Sequence, residues 1–275
     1  MAFELSDKIT VDQSENYIMS IRLGSDGLSF SVYNPSERDS FLYRKVVLER
    51  GKSYISFLKD FFFENEFLSW SYKKVYVVFV SSPYTIVPQE FYQEKKKNEL
   101  LTFTASLVEN VYLNNSLKEE RAELVFGVND EVYEFCSRSL IKPIFVHHLT
   151  PIFTFLGRSS RLHLSKKMFV VVHRRSVDVV CYEQGHLSFS NTFEYKCLED
   201  VVYYLLYIWK QLGMDQLTDQ LSLFGETSFC HTVIKVLRDY IQSVELLEIP
   251  SEAYLLGTEI VHSPLDLIAL SLCEL

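Results

Sequence analysis

Glycine and proline are scarce in this sequence, with 9 and 7 residues among 275. Because these two residues interrupt regular structure, their scarcity predicts well-formed strands and helices joined by few long loops. Phenylalanine and tyrosine are abundant instead, with 21 and 17 residues. Hydrophobic residues make up 48% of the chain and charged residues 23%, which excludes a disordered or fibrous protein. A chain of this length forms one large domain or two medium ones.

Disulfide, zinc and membrane motifs are also missing. The five cysteines are odd in number, widely spaced and without a Cys-x-x-Cys pair, which predicts reduced, mostly buried thiols. The longest apolar stretch, Val201 to Trp209, is far shorter than the roughly 20 residues that cross a bilayer. The first residues carry acids and no apolar segment of the signal-peptide type. We therefore expect a cytoplasmic protein with no membrane span.

The net charge of −9 opposes general binding to nucleic acid or anionic membranes, although local basic patches are compatible with it. Residues 158–175 form such a segment, because they carry six positive charges and no acid. It is either an anion site, for a nucleotide phosphate, RNA or an acidic protein face, or a solvated connector and hairpin tip. We favour the solvated connector. The six residues are Arg158, Arg161, Lys166, Lys167, Arg174 and Arg175.

The apolar pattern has the same order in both halves of the chain: three strands, a helix, a strand and a helix. Asp26-Gly27 between the first two runs predicts a hairpin. In the first half we predict strands at 17–23, 28–33, 41–48, 75–80, 122–128 and 141–146, with helices around 55–67 and 89–101. In the second half we predict strands at 168–172, 177–182, 186–193 and 221–224, with helices at 198–212 and 228–240.

This repeat predicts two lobes, residues 1–160 and 161–275, with a small polar hinge at Gly157–Arg161. The alternative is a generic α/β protein without internal duplication.

The first hairpin resembles a motif of actin-like ATPases, Ile-Asp-x-Gly-Thr/Ser. In that family the backbone amides touch the phosphates, and the Asp organises the metal and the attacking water. The matching segment is Ile21-Arg22-Leu23-Gly24-Ser25, which has Arg22 where the family has Asp. The second lobe of the family has Asp-x-Gly-Gly at the turn after its first strand. This sequence has His173-Arg174-Arg175-Ser176 there.

Three further segments carry a resemblance. Leu221–Glu226 is similar to the family's adenosine loop but keeps only one glycine, Gly225, and residues 263–270 resemble its last helix. Tyr84–Pro88, followed by Glu90-Phe91-Tyr92, resembles a segment of an uncharacterised bacterial family with a degenerate actin-like fold. More distantly, the chain is similar to actin-like scaffold proteins of bacterial pili and secretion platforms.

The resemblance implies a duplicated ribonuclease-H-like (actin-like ATPase) fold of the α/β class. Each half would hold a mixed sheet, with a three-stranded antiparallel meander and added parallel strands. The C-terminal helix would pack back toward the cleft between the lobes.

Phosphoryl transfer requires magnesium, carboxylates and a closely approaching backbone. Arg22 places a positive charge where an acid would hold the cation, and His173 is a poor ligand for that hard ion. We therefore predict no catalytic residue, no metal site and no cofactor, with Mg-ATP as the alternative. Asp26 and Asp178 are the nearest acids that could compensate. The candidate nucleotide- or anion-binding residues are Gly24, Ser25, Arg174, Arg175 and Gly225.

Two other clusters have structural interpretations. If His147 and His148 lie on a strand, they point to opposite faces and cannot readily share one metal. Phe61-Phe62-Phe63 exceeds one helix face, so Phe62 is predicted to be core, and any residue left outside marks a partner surface.

The expected function is that of a non-catalytic pseudoenzyme that acts as a scaffold for a protein partner. The first alternative is a nucleotide-binding enzyme of the ATPase or sugar-kinase type, with atypical site residues. The second is polyanion (RNA) binding through residues 158–175.

Overall fold

The computed structural model describes residues 9–49, 51–80, 83–104, 111–161 and 165–273. The chain divides into two compact units. Unit 1 consists of Met1–Pro151 and Pro250–Leu275, and unit 2 is Ile152–Ile249. The predicted lobes, 1–160 and 161–275, differ from these units in the position of the boundary and in the assignment of the last residues.

The described residues form the following strands and helices, in chain order. The strands are β1 (Ile18–Gly24), β2 (Gly27–Tyr33), β3 (Leu42–Val47), β4 (Lys74–Phe79), β5 (Tyr84–Pro88), β6 (Val111–Leu117), β7 (Ala122–Val128), β8 (Ile144–His147), β9 (Lys167–Val172), β10 (Ser176–Glu183), β11 (His186–Glu194), β12 (Gln220–Phe224) and β13 (Ser243–Leu246). The α-helices are α1 (Tyr54–Glu64), α2 (Lys97–Thr104), α3 (Asp130–Ser139), α4 (Leu149–Ser160), α5 (Leu198–Gln211), α6 (Thr227–Leu237) and α7 (Leu265–Leu272).

Unit 1 contains a five-stranded mixed sheet with the strand order β3-β2-β1-β4-β8. The first three strands form an antiparallel meander, and β4 and β8 add to it in parallel. Unit 2 contains a second sheet with the order β11-β10-β9-β12-β13, again an antiparallel meander followed by two parallel strands. The two sheets therefore share one topology, and the predicted duplication of mixed sheets is confirmed.

A tight hairpin joins β1 to β2, as Asp-Gly predicted. Gly24 lies opposite Gly27, so only Ser25 and Asp26 form the loop. Gly27 has φ +140°, and a Cβ at this position would lie 2.1 Å from the Val46 carbonyl oxygen. Only glycine fits so close to the neighbouring strand.

A third sheet, of three strands in the order β5-β7-β6, is inserted between β4 and β8. Only β7 was predicted among these strands. Part of the predicted helix at 89–101 is turn and 3₁₀-helix, and α2 begins at Lys97. Val87, Leu101 and Val125 are buried together, so α2 covers one face of this small sheet.

Asn115 of β6 caps the free edge of β8 with its side-chain amide. Its Nδ2 donates to the Phe145 carbonyl oxygen at 3.0 Å, and its Oδ1 accepts from the His147 backbone N–H at 2.7 Å. Thr150 Oγ1 donates to the same Oδ1 at 2.9 Å. The side chain thereby satisfies backbone groups that a further strand would otherwise bind.

The C-terminal segment packs in unit 1. The backbone N–H of Asp39 donates to the Leu255 carbonyl at 3.2 Å. Glu259 Oε2 accepts from the backbone N–H of Tyr43 at 3.0 Å and pairs with Arg44 at 2.9 Å. These contacts cover the outer edge of β3. The expectation that the last helix also lies toward a cleft between lobes stays a prediction.

The predicted hinge at Gly157–Arg161 is instead largely helical, because α4 continues to Ser160. Glycine and two serines do not stop this helix, because the preceding turns carry large apolar residues. Ile152, Phe153 and Leu156 are all buried. Tertiary burial here outweighs the low helix propensity of the small residues.

Each unit has its own aromatic and aliphatic core. In unit 1, Phe30 lies 6.2 Å from Phe61 and 5.2 Å from Phe67 between ring centroids. Phe62 is also buried as predicted, whereas Phe63 is 88% exposed. In unit 2, helices α5 and α6 bury one face of β9, β10 and β12 in a single cluster. The predicted burial of most cysteines is confirmed, since Cys136, Cys181, Cys230 and Cys273 are buried and Cys197 is exposed.

Candidate functional site

The first candidate segment lies at the end of β1 in unit 1. Gly24 is half-buried there, and Ser25 is exposed at the tip of the hairpin. A Cβ on Gly24 would approach Asp26 Oδ1 at 3.4 Å and Arg22 Nη1 at 3.8 Å, both ordinary contacts. Space around Gly24 therefore does not require a glycine, in contrast to Gly27, which directly follows the loop.

Arg22 forms a largely buried ion pair with Asp266 of α7. Its Nε donates to Asp266 Oδ2 at 2.6 Å, and the two side chains are 13% and 1% exposed. The other carboxylate oxygen, Oδ1, accepts the Leu267 backbone N–H at 2.8 Å. Both oxygens of Asp266 are thus committed to intramolecular partners. Arg22, which occupies the position of the Asp in the actin-like motif, and Asp266 therefore neutralise each other.

The phenol of the half-buried Tyr43 lies near this ion pair. Burial raises its pKa, and the charges of Asp266 and Asp26 raise it further. A hydrogen bond with Ser29 and the positive charge of Arg22 act in the opposite direction. Arg22 therefore lies among polar and charged groups, with Asp266 as its counter-charge.

Asp26, the first compensating acid, occupies the hairpin turn. Its carboxylate lies 3.4 Å from Lys45 Nζ, and its carbonyl accepts the Leu48 backbone N–H at 2.9 Å. The position is consistent with the turn role that Asp commonly has.

The second candidate segment lies at the β9–β10 connection in unit 2. The His173 backbone N–H donates to the Ser176 carbonyl at 2.8 Å, which closes the turn. Arg174 and Arg175 occupy its tip, and both are exposed. The Tyr195 hydroxyl donates to the His173 carbonyl at 2.8 Å and anchors the turn from outside.

Asp178, the second compensating acid, is completely buried beside this turn. His173 Nε2 lies 2.6 Å from Asp178 Oδ2, and Thr192 Oγ1 donates to Asp178 Oδ1 at 2.6 Å. The acid thus holds the imidazole in place. Through these contacts it links the residue that follows β9 with strands β10 and β11. Sequence alternation alone left the orientation of Asp178 open, and the structure places it inward.

Gly225 follows β12 and begins the connection to α6. Its φ is +154°, and a Cβ would lie 2.8 Å from Val172 Cβ and 2.9 Å from the Val172 carbonyl oxygen. The close approach of this backbone to the end of β9 requires a glycine. Packing therefore explains Gly225 without any phosphate.

The basic residues of 158–175 lie at different places in unit 2. Lys167 begins β9 and Arg174 follows its end, so about 20 Å of strand separates them. Lys166 Nζ donates to the Leu212 carbonyl at 2.9 Å and lies 3.4 Å from Glu183. Burial lowers the pKa of Lys167, against the raising effect of Glu245. The exposed cations at the Arg174–Arg175 tip are thus remote along the strand from these two lysines.

The two adjacent histidines do not point to opposite faces. β8 ends at His147, so strand alternation does not extend to His148. Their ring centroids are 4.5 Å apart, and both residues are buried. The expectation of opposed side chains was made for two residues on one strand, so it does not apply to this pair.

Comparison with known structures defines the class of fold. A Bacteroides thetaiotaomicron protein with an actin-like ATPase fold and unknown function matches with a TM-score of 0.83 and 32% identity, over 97% of this chain and 99% of that one. The PilM–PilN type IV pilus biogenesis complex matches at 12% identity with a TM-score of 0.53, over 94% and 99% of the two chains. The chain therefore has the actin-like ATPase fold, as its motifs implied.

The family follows from the sequence match. Residues 6–244 match the family described as "Protein of unknown function (DUF3822)", and the chain belongs to that family. No curated protein matches it. Within the described ranges, no helix has both the length and the apolar character needed to cross a membrane.

Proposed function

We propose that this protein is a non-catalytic member of the actin-like class, a cytoplasmic scaffold that binds another protein. The observation that carries the proposal is the ion pair between Arg22 and Asp266. A magnesium-dependent phosphoryl transfer needs carboxylate oxygens that are open to the cation. At this position the buried acid Asp266 is bound by a guanidinium and a backbone N–H instead.

The second segment supports the same proposal. In place of a turn that lets phosphate approach the backbone, two arginine side chains occupy the tip of the β9–β10 connection. Asp178 is used to hold His173 and Thr192. Gly225, the retained glycine of the adenosine-loop segment, is required by its packing against Val172. None of these arrangements depends on a nucleotide.

The PilM–PilN complex supports the scaffold role by analogy, since there a chain of similar fold occurs in a type IV pilus biogenesis complex. That likeness extends to the fold alone. For this chain the partner and the process are part of the proposal.

Nucleotide binding is tested by calorimetry and thermal denaturation of the full chain with millimolar Mg-ATP and Mg-ADP. We expect no binding heat and no change in melting temperature, because a ligand that binds only the native state must raise its apparent stability. A saturable heat together with a melting shift would establish the alternative, a nucleotide-binding enzyme. An established Mg-ATP-binding protein serves as the positive control.

The scaffold role is tested by native co-purification from the source cells and reconstitution with the purified candidate partner. We expect one partner to form a complex of fixed stoichiometry that persists without nucleotide. Failure of every candidate to reassemble from pure components would overturn the role.

Polyanion binding is the second candidate, and the exposed Arg174 and Arg175 favour it. It requires binding to single-stranded RNA that weakens steeply with salt and is lost in Arg174→Ala/Arg175→Ala. Arg138→Ala, which removes an exposed arginine on α3 of unit 1, is the matched control.

A further inference from the structure

Helix α5 exposes a narrow face that carries two tyrosines between opposite charges. Tyr203 and Tyr207 are 63% and 53% exposed, and Glu199 and Lys210 are exposed beside them. At 3.6 residues per turn these four positions fall within an arc of about 80°. An acid, two aromatic rings and a base therefore form one stripe along the helix.

The tyrosines are arranged before any partner arrives. The rings of Tyr203 and Tyr207 are stacked, with centroids 6.0 Å apart and planes 22° apart. Tyr204 meets Tyr203 edge-on at 5.9 Å, and Phe193 of β11 stacks on Tyr204 at 5.0 Å. The ring platform is thereby supported from the sheet. Rigid, exposed tyrosines lose little entropy on association, which is why they are enriched at protein interfaces.

The stripe is complementary to itself. The midpoint between Tyr203 and Tyr207 along the helix is residue 205. The midpoint between Glu199 and Lys210 lies directly beside that residue, so the two pairs share nearly the same centre. Glu199 and Lys210 are about 16 Å apart along the axis, at 1.5 Å per residue. When a second α5 lies antiparallel on this face, the tyrosines of the two helices meet at the centre. Glu199 then faces the partner's Lys210 at one end, and Lys210 faces the partner's Glu199 at the other.

Both charges are available for such pairing. Within the part of the chain that the structure describes, Lys210 has no ion pair. A hydrogen bond from its own backbone N–H and one from the Cys197 thiol lower the pKa of Glu199, so this acid is ionised at neutral pH.

We propose that the α5 face, defined by Glu199, Tyr203, Tyr207 and Lys210, is a two-fold interface with a second copy of this chain. A two-fold interface uses one patch on both copies, so the patch must complement itself when reversed. A pair of helices buries less than the roughly 1,200–2,000 Å² of a stable complex. The dimer is accordingly weak and depends on protein concentration. It does not depend on the proposed scaffold role.

Sedimentation velocity of the full chain over micromolar to millimolar concentrations tests the proposal. We expect the mass to rise with concentration from 32.2 kDa toward twice that value. Tyr203→Ala and Tyr207→Ala should each raise the dissociation constant about tenfold or more. Tyr240→Ala, which removes another exposed tyrosine of unit 2, should leave it unchanged. Unchanged melting temperatures would verify that the exposed substitutions preserve the fold.

The charge pairs test the antiparallel register. Glu199→Lys alone and Lys210→Glu alone should each weaken association, because like charges then face each other at both ends. The double variant Glu199→Lys/Lys210→Glu should recover it, since the pairs are merely exchanged. A monomer at every concentration overturns the interface, and a double variant as weak as the single ones overturns the antiparallel register.

Discussion

At the scale of single residues, position 22 shows how an acid that is distant in the chain neutralises a largely buried basic side chain. An acid at the end of β1 would need an external cation, whereas Arg22 finds its counter-charge within the chain. The partner, Asp266, is 244 positions away and only 1% exposed. A buried ion pair is a modest contributor to stability as a pair, but each member becomes costly when the other is removed.

Arg22→Met should therefore lower the free energy of unfolding by about 3–5 kcal/mol, since it leaves the Asp266 carboxylate buried without its counter-charge. Replacing both members, as Arg22→Met/Asp266→Leu, should recover most of that loss. Urea denaturation monitored by circular dichroism measures both effects. Arg44→Met is the matched control, because the Arg44–Glu259 pair is 39% and 43% exposed and should contribute less than about 1 kcal/mol. If Arg22→Met left the free energy of unfolding unchanged, that result would contradict the buried ion pair.

At the scale of elements, the two candidate glycines have different reasons to be glycine. Gly24 ends a strand beside an open turn, and Gly225 crosses directly over the end of β9. In the sequence, both glycines resemble phosphate-binding positions. Their different structural roles become apparent only from the residues that surround each of them in space.

Gly225→Ala should destabilise the protein by about 2 kcal/mol or more, because the new methyl group overlaps Val172 and the backbone has φ +154°. Gly24→Ala should change stability by less than about 0.5 kcal/mol, since its closest contact would be 3.4 Å. Equilibrium denaturation of the two variants under identical conditions provides the comparison. Equal effects at both positions would refute the packing explanation.

The elements that the sequence predicted are those with a strong local pattern. The meander strands alternate or are fully apolar, and α5 carries an apolar stripe of Val201, Leu205 and Ile208. β6 has no such pattern, because Asn114, Asn115 and Ser116 interrupt it. Asn115 is polar since it binds the edge of β8, a role visible only when both strands are in place.

At the scale of the whole molecule, the thiols report the integrity of both cores. Cys136 lies in the core of unit 1, and Cys181 and Cys230 lie in that of unit 2. Burial raises the pKa of Cys136 and of Cys181 to about 12. Burial, with a smaller effect of Glu226, raises the pKa of Cys230 to about 11.

Iodoacetamide at neutral pH should therefore modify Cys197 first and leave the three core thiols intact until denaturant is added. The reactive species is the thiolate, and these three thiols remain protonated and inaccessible well above neutral pH. Mass spectrometry of tryptic peptides identifies the modified sites. In the Cys197→Ser variant, the early iodoacetamide modification should disappear. Early modification of Cys136 or Cys181 in the native protein would contradict the burial.

The sequence by itself determined the duplicated meanders, the actin-like class and the presence of an arginine at position 22. These depend on short-range patterns: apolar periods, an Asp-Gly turn and a motif within five residues. The tertiary structure alone decided that Asp266 neutralises Arg22, that Asp178 holds His173, and that the C-terminal segment packs in unit 1. The physical reason is that charge pairing and burial depend on distances in space, and residues far apart in the chain leave no local pattern from which those distances can be inferred.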